Sequence, residues 1–436
     1  MHSFKHPQSR TPGRLTVLAI AIASALTAGQ VNATVPSYGY NNSATISALD
    51  NPQGNTWQGN LAGVLNSGSI GTLSSSGTIL GGIGVHNIGI ITSLNNQTGS
   101  SINSNYTAIV NDSAASIGTL SNSGAISNDY YFGISNNGTI TSLNNVTGGT
   151  ISGANTEINN TGSIGTLSNS GSITGSSVVI SNSGTITSLN NNVGGTITGA
   201  NTGINNTGRI GTLTNNGSIT DSNVAISNSG TITSLNNNVG GTVAGGNTGI
   251  GNTGTIGTLS NSGTISAAAS SGIITSGTIG TLSNSGTISG SSGINNNGSG
   301  TITTLNNAAG GTIRGDGYAG IYNDGSIGAL NNIGLITGNQ YAIYNDIDAT
   351  LGAVTNSGTI AGAIRNDTAH NLTINGGTGS EFGILTGAGV GGVSAGNIGQ
   401  ITNSFSNLVF GSGNLLLNDN INVSGDPTHT VSNLAA

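Results

Sequence analysis

The chain of 436 residues has no cysteine, five prolines, 3% aromatic residues and 4% charged residues. The missing cysteine excludes a disulfide scaffold and a thiolate-bound metal. So few prolines, with no Gly-X-Y period, exclude collagen. Low charge combined with 34% hydrophobic residues excludes a disordered chain, which avoids aliphatic residues and carries charge. Only six residues are Lys or Arg, and Lys5, Arg10 and Arg14 are three of them. Beyond residue 33, three basic residues remain against 13 acidic ones, a formal charge of −10. Nucleic-acid binding needs a basic stripe, and there is none. Strong helix formers are scarce as well. Glycine (76 residues), Asn, Ser and Thr dominate, and all are poor in helix interiors.

Residues 1–33 differ from the rest. A basic start is followed by an apolar run from Leu15 to Ala28 and by the small-residue sequence Val31-Asn32-Ala33. This order predicts a secretory signal peptide with the mature chain starting at Thr34, because the run is too short to span a bilayer.

From there to about residue 375 the chain repeats. The first aliphatic residue of a recurring SIGTL or TITSL phrase falls at 14 places from Ile46 to Leu351, at intervals of 21 to 26 residues. Neighbouring units often alternate, giving a second period of 46 residues, as in Ile164, Ile210 and Ile256. Within one unit, Ile164, Leu167, Ile173 and Ile180 lead to Ile186, in steps of 3, 6, 7 and 6 residues. No helical stripe has this period. Three short strands per unit, bounded by Asn/Gly/Ser corners, fit it. A unit of roughly 23 residues cannot bury its aliphatic face alone but can do so against copies of itself. The predicted fold is therefore all-β: a single-stranded parallel β-helix with three short strands per coil. The rival, a leucine-rich horseshoe, needs an L-x-x-L-x-L phrase that is absent.

Two files of asparagine support this register. One, two residues past the Leu position, runs from Asn96 to Asn356. The other, past the third-strand aliphatic, runs from Asn87 to Asn366 and is read as interrupted at Ser276. Stacked amides hydrogen-bond along such a rod.

Catalytic chemistry is sparse. Between Asn60 and Ile313 the only charged residues are Asp112, Asp129, Glu157, Arg209 and Asp221, scattered over different units. His370 with Asp367 and a nearby serine would be a weak triad, and no nucleophile elbow, metal-protease or phosphate-loop motif occurs. Threonine pairs such as Thr185/Thr187 suggest an ice-binding face, but Arg209 falls in line with them. One cluster stands out. Tyr318, Tyr322, Tyr341 and Tyr344 are the candidate ligand-binding residues. Asp324, Asp346 and Asp367, spaced 22 and 21 residues apart, are the candidate metal ligands, with calcium the only cofactor in view.

The signal sequence, the Asn/Gly/Ser/Thr/Ile repeats and the absence of cysteine together resemble the passenger domains of bacterial autotransporters. So does the tail, NIGQITNSFSNLVFGSGNLLLNDNINV from Asn397 to Val423. The resemblance implies export through the inner membrane and display at the cell surface or release. It also implies adhesive contact with host or bacterial glycans or proteins, or self-association. It implies an outer-membrane β-barrel downstream, which the residues up to Ala436 do not contain. The expected organisation is a signal peptide (1–33), an N-terminal cap with the first coil (34–69), β-helix repeats (70–375) and a non-repetitive passenger segment (376–436). The protein is read as a non-enzyme. The alternative is a carbohydrate-active enzyme, lyase or hydrolase, on the same scaffold.

Overall fold

A computed structural model describes residues 35–389, 395–423 and 428–432; the expected signal peptide (1–33) lies outside the described residues. Among the described residues there is no helix. The chain winds as a parallel β-solenoid of about 16 turns with about 24 residues per turn. At the ~4.8 Å inter-strand spacing, that is a rod on the order of 75 Å long.

One turn shows the rule. A seven-residue strand, Ser163–Asn169, is followed by Ser172–Gly175 and Val178–Asn182. The next turn repeats this with Thr185–Asn191, Thr196–Gly199 and Thr202–Asn206. First strands stack only on first strands, in parallel register: Ile164 pairs with Ile186, and Ile186 with Ile210. Second and third strands do the same and together form the other sheet. In some turns the two merge into one long strand, as in Ser101–Asn111 and Leu335–Asn345. β-Branched Ile and Thr suit this pleated surface. Ile164, Leu167, Ile173 and Ile180 all lie inside with no exposure, although two half-exposed residues rather than one separate Ile164 from Leu167, and each contributes roughly 1.5–3 kcal/mol before entropy is counted. Parallel pairing continues past residue 375, through Gly383–Ala388 and Gly399–Asn403 to Leu415–Val423.

The 46-residue period has a simple cause. The corner after the first strand comes in two lengths. It is two residues at Ser170-Gly171 and four at Asn192-Val193-Gly194-Gly195. The intervals Ile164–Ile186 and Ile186–Ile210 differ by the same two residues, 22 against 24. The long corner needs a left-handed residue, supplied by Gly194 at φ +81° and by Gly148 and Gly240 in its sister turns. It also pushes Val193 and Val239 out to 83% exposure.

Both asparagine files are interior ladders, the first continuous and the second broken once. Each Nδ2 donates to the Oδ1 of the next turn, at 2.7–2.9 Å from Asn96 through Asn169 and Asn215 to Asn356. The second amide hydrogen goes to a backbone carbonyl: Asn169 to Thr196 at 3.0 Å, and Asn182 to Arg209 at 3.1 Å. That carbonyl fixes which way each amide points. The second ladder starts at Asn42, earlier than expected, and breaks at Thr275 rather than Ser276. Thr275 is the register partner of Asn252 and Asn296, two residues beyond Ile273, whereas Ser276 has already entered the corner.

Candidate functional site

The tyrosine cluster forms where three consecutive third strands stack. Tyr322, Tyr344 and Arg365 are register partners on the outer face, one residue before the ladder amides Asn323, Asn345 and Asn366. Alternation along the strand therefore points these side chains outward while the neighbouring amides point inward. Tyr341 opens its strand segment opposite Ala319, and Tyr318 sits in the corner before it. The four half-buried rings touch. Tyr318 lies 5.7, 5.6 and 6.0 Å from Tyr322, Tyr341 and Tyr344, edge-on to each. Tyr344 lies 5.4 Å from Tyr322 and 5.1 Å from Tyr341. The Arg365 guanidinium covers the Tyr344 ring at 5.3 Å, a cation–π contact.

The aspartates are drawn into the same patch. Asp346 accepts from the Tyr322 hydroxyl at 2.7 Å, the Tyr344 hydroxyl at 3.3 Å and the Ile347 N–H at 2.8 Å. Burial pushes its pKa up, but these donors, with the Arg365 charge, outweigh burial and hold the carboxyl below its ordinary range. Burial first, and then Asp346, push the Tyr322 and Tyr344 phenols well above the ordinary tyrosine range. Asp367 is 7% exposed, pairs with Arg365 at 2.6 Å and accepts from Ser404 at 2.8 Å. Asp324 follows Asn323 and shares none of these bonds. The structure thus brings Asp346 and Asp367 to the tyrosines. It gives their oxygens to phenol, guanidinium and hydroxyl donors, which leaves few lone pairs for an ion. Among the described residues, no group of three or more His, Cys, Asp and Glu side chains is gathered for a metal.

Arg365 and Ser404 were not singled out as site residues from the sequence. Arg365 was findable: Tyr322-Asn323-Asp324, Tyr344-Asn345-Asp346 and Arg365-Asn366-Asp367 are one motif on successive turns. Ser404 was not, because it comes 37 residues after Asp367, across an enlarged turn. A second aromatic group also went unread. Tyr106 lies 6.1 and 6.0 Å from Tyr130 and Tyr131, and all three are more than half exposed.

Among the described residues, the remaining charges stand apart from this patch. His86 pairs with Asp112 at 2.9 Å across adjacent turns. His370 engages Asn366 and Thr368 through its backbone, while Asp367 is held by Arg365. Glu157 is fully buried, which pushes its carboxyl up to about 9. Burial likewise raises Asp221. Arg209 stacks between Thr185 and Thr231, interrupting the threonine array. The patch is thus a rigid aromatic platform with one cation and bound carboxylates, a chemistry suited to holding a ligand. Comparison with known protein families, curated proteins and solved structures finds no match.

Proposed function

We propose that this protein is a secreted or surface-displayed adhesive β-solenoid of the autotransporter-passenger kind, and that Tyr318, Tyr322, Tyr341 and Tyr344 with Arg365 form its contact platform. The observation that carries this reading is the concentration of interlocked rings and an arginine on one short stretch of an otherwise nearly uncharged rod. Tyrosine supplies large contact area at low entropic cost, and its ring face stacks on the apolar face of a sugar or on a partner side chain. The long surface of Asn, Ser and Thr adds weak hydrogen-bonding groups whose contacts multiply by avidity. Export rests on the signal-like residues 1–33.

The test is binding of the purified protein to glycan arrays and to cell surfaces, comparing wild type with Tyr341→Ala/Tyr344→Ala. Loss of binding with an unchanged β-sheet dichroism spectrum supports the platform. Equal binding by the double variant overturns it, and turnover of a polysaccharide would replace adhesion with catalysis.

A further inference from the structure

The two aromatic groups stand on one edge of the rod. Third strands pair in unbroken register from Thr107 and Phe132 to Ala319 and Tyr341. The residue just before each of these starts lies in the corner between second and third strands, and successive corners are tied by main-chain bonds. The Tyr131 N–H donates to the Tyr106 carbonyl at 3.0 Å, the Thr156 N–H to Tyr131 at 3.1 Å, and the Tyr318 N–H to Ser291 at 2.7 Å. Tyr106, Tyr131 and Tyr318 therefore share one column. Tyr131 and Tyr318 are eight turns apart, about 38 Å at the ~4.8 Å spacing. The turns between them carry only Asn or Ser in this column, from Asn155 and Ser177 to Ser270 and Ser291.

This edge selects its partner by what it shows and what it lacks. Tyr106 and Tyr131 are stacked with 26° between their planes, and Tyr130 and Phe132 lie beside them at 6.1 and 6.3 Å. Between Tyr131 and Ile313 the charged residues are Glu157, Arg209 and Asp221. Glu157 and Asp221 are buried, and Arg209 is on the first-strand sheet. An anionic polymer would find no cation along this span. Among the described residues from Phe132 to Asn332, the exposed large hydrophobics are Val193 and Val239, both in the corner after the first strand. The edge between the stations thus lacks the apolar centre of a protein–protein interface. It offers tyrosine rings at both ends and a line of amides and hydroxyls, some already linked, as Asn223 Nδ2 is to Asn201 Oδ1 at 3.0 Å. Sugar rings have apolar faces that stack on tyrosine and hydroxyls that exchange hydrogen bonds with amides.

We propose that Tyr106, Tyr130 and Tyr131 form a second sugar-stacking station, and that one uncharged linear polysaccharide lies along this edge and engages both stations at once. The inference rests on the adhesive reading of the Tyr318 group and narrows its partner. Two weak stations on a rigid rod act as one stronger site, because a chain held at one is concentrated at the other.

The test is affinity electrophoresis of the full chain in gels containing linear β-glucan, mannan or amylose, with alginate as the acidic control. Calorimetric titration then uses fragments of the retarding polymer shorter and longer than the span. Wild type is expected to be retarded in a neutral gel and to bind the long fragments on the order of a hundredfold tighter than the short ones. Tyr130→Ala/Tyr131→Ala and Tyr341→Ala/Tyr344→Ala should each abolish this length dependence, while the remaining station still binds short fragments and the β-sheet spectrum is unchanged. Tyr130→Phe/Tyr131→Phe, which keeps the rings, should keep the length dependence. No retardation in any neutral gel, or retardation by alginate alone, overturns the proposal. So does unchanged length dependence in Tyr130→Ala/Tyr131→Ala, a result that would leave the Tyr318 platform standing. Binding indifferent to Tyr341→Ala/Tyr344→Ala would remove the platform itself.

Discussion

The asparagine ladder that follows the first strand runs unbroken from Asn96 to Asn356, whereas its counterpart after the third strand is cut at Thr275. In the intact ladder each amide accepts from the turn before and donates both to the turn after and to a backbone carbonyl. Thr275 accepts from Asn252 at 3.1 Å, but its single hydroxyl hydrogen goes to the Gly277 carbonyl at 3.3 Å. Nothing is left for Asn296, whose Oδ1 has no partner. The ladder position therefore demands two hydrogens and an acceptor on a short planar group, a set that asparagine carries and threonine does not.

The sharpest way to break this comparison is to remove an amide from an intact stretch. Asn182→Leu strands the Asn160 donor, the Asn206 acceptor and the Arg209 carbonyl. At ~1–3 kcal/mol per unmade buried bond, a loss of about 3 kcal/mol is expected, measured by chemical denaturation; an unchanged midpoint would refute the ladder's energetic role. The reverse change repairs the break. Thr275→Asn is expected to gain about 1 kcal/mol, read as a raised melting temperature, and a lowered one would show that the turn has adapted to threonine.

The outer column on the same turns offers a smaller, pH-dependent counterpart. Asp346 has a folded value below its ordinary 3.8, so the stability it contributes is fully present above that pH and is lost as pH falls through the depressed folded value. Asp346→Asn should lower stability at neutral pH slightly and flatten the acid limb of the stability–pH curve; parallel curves for the two proteins would contradict the phenol–carboxylate bonds. Smallest of all, ultraviolet titration of the phenols should show Tyr322 and Tyr344 resisting ionisation at pH values where exposed tyrosines ionise. Tyr322→Phe should remove one resistant phenol without changing the fold.

Much of the architecture was legible before any coordinates. Ile164, Leu167, Ile173 and Ile180 read as three strands because their steps fit no helix, and each is buried as expected. Both ladders were visible as files of Asn, since identical turns place identical residues in contact. The position of the break was misread by one residue, because NSG-like corners slide easily by one when aligned by eye, while hydrogen bonding tolerates no slip. The tyrosine patch was legible for the same reason as the ladders: Tyr322 and Tyr344 recur at one place in adjacent turns. The conversion of Asp346 and Asp367 from a free acidic line into hydrogen-bonded partners was not, because it depends on which way Tyr322, Tyr344 and Arg365 lean.

The linear order of residues was sufficient for the period, the strand type, the buried aliphatics and the corner amides. Those follow from local patterning and from a unit that can hide its apolar face only against its own copies. The placement of Asn128, Glu157 and Asp221 beside Gly153, Gly175 and Gly199 on successive turns was settled only in three dimensions. The three residues are far apart in the chain and not all at one position of the repeat, and turns of unequal length hide their alignment. They line one corner because three stacked glycines leave space on successive turns that these side chains fill, one at each level.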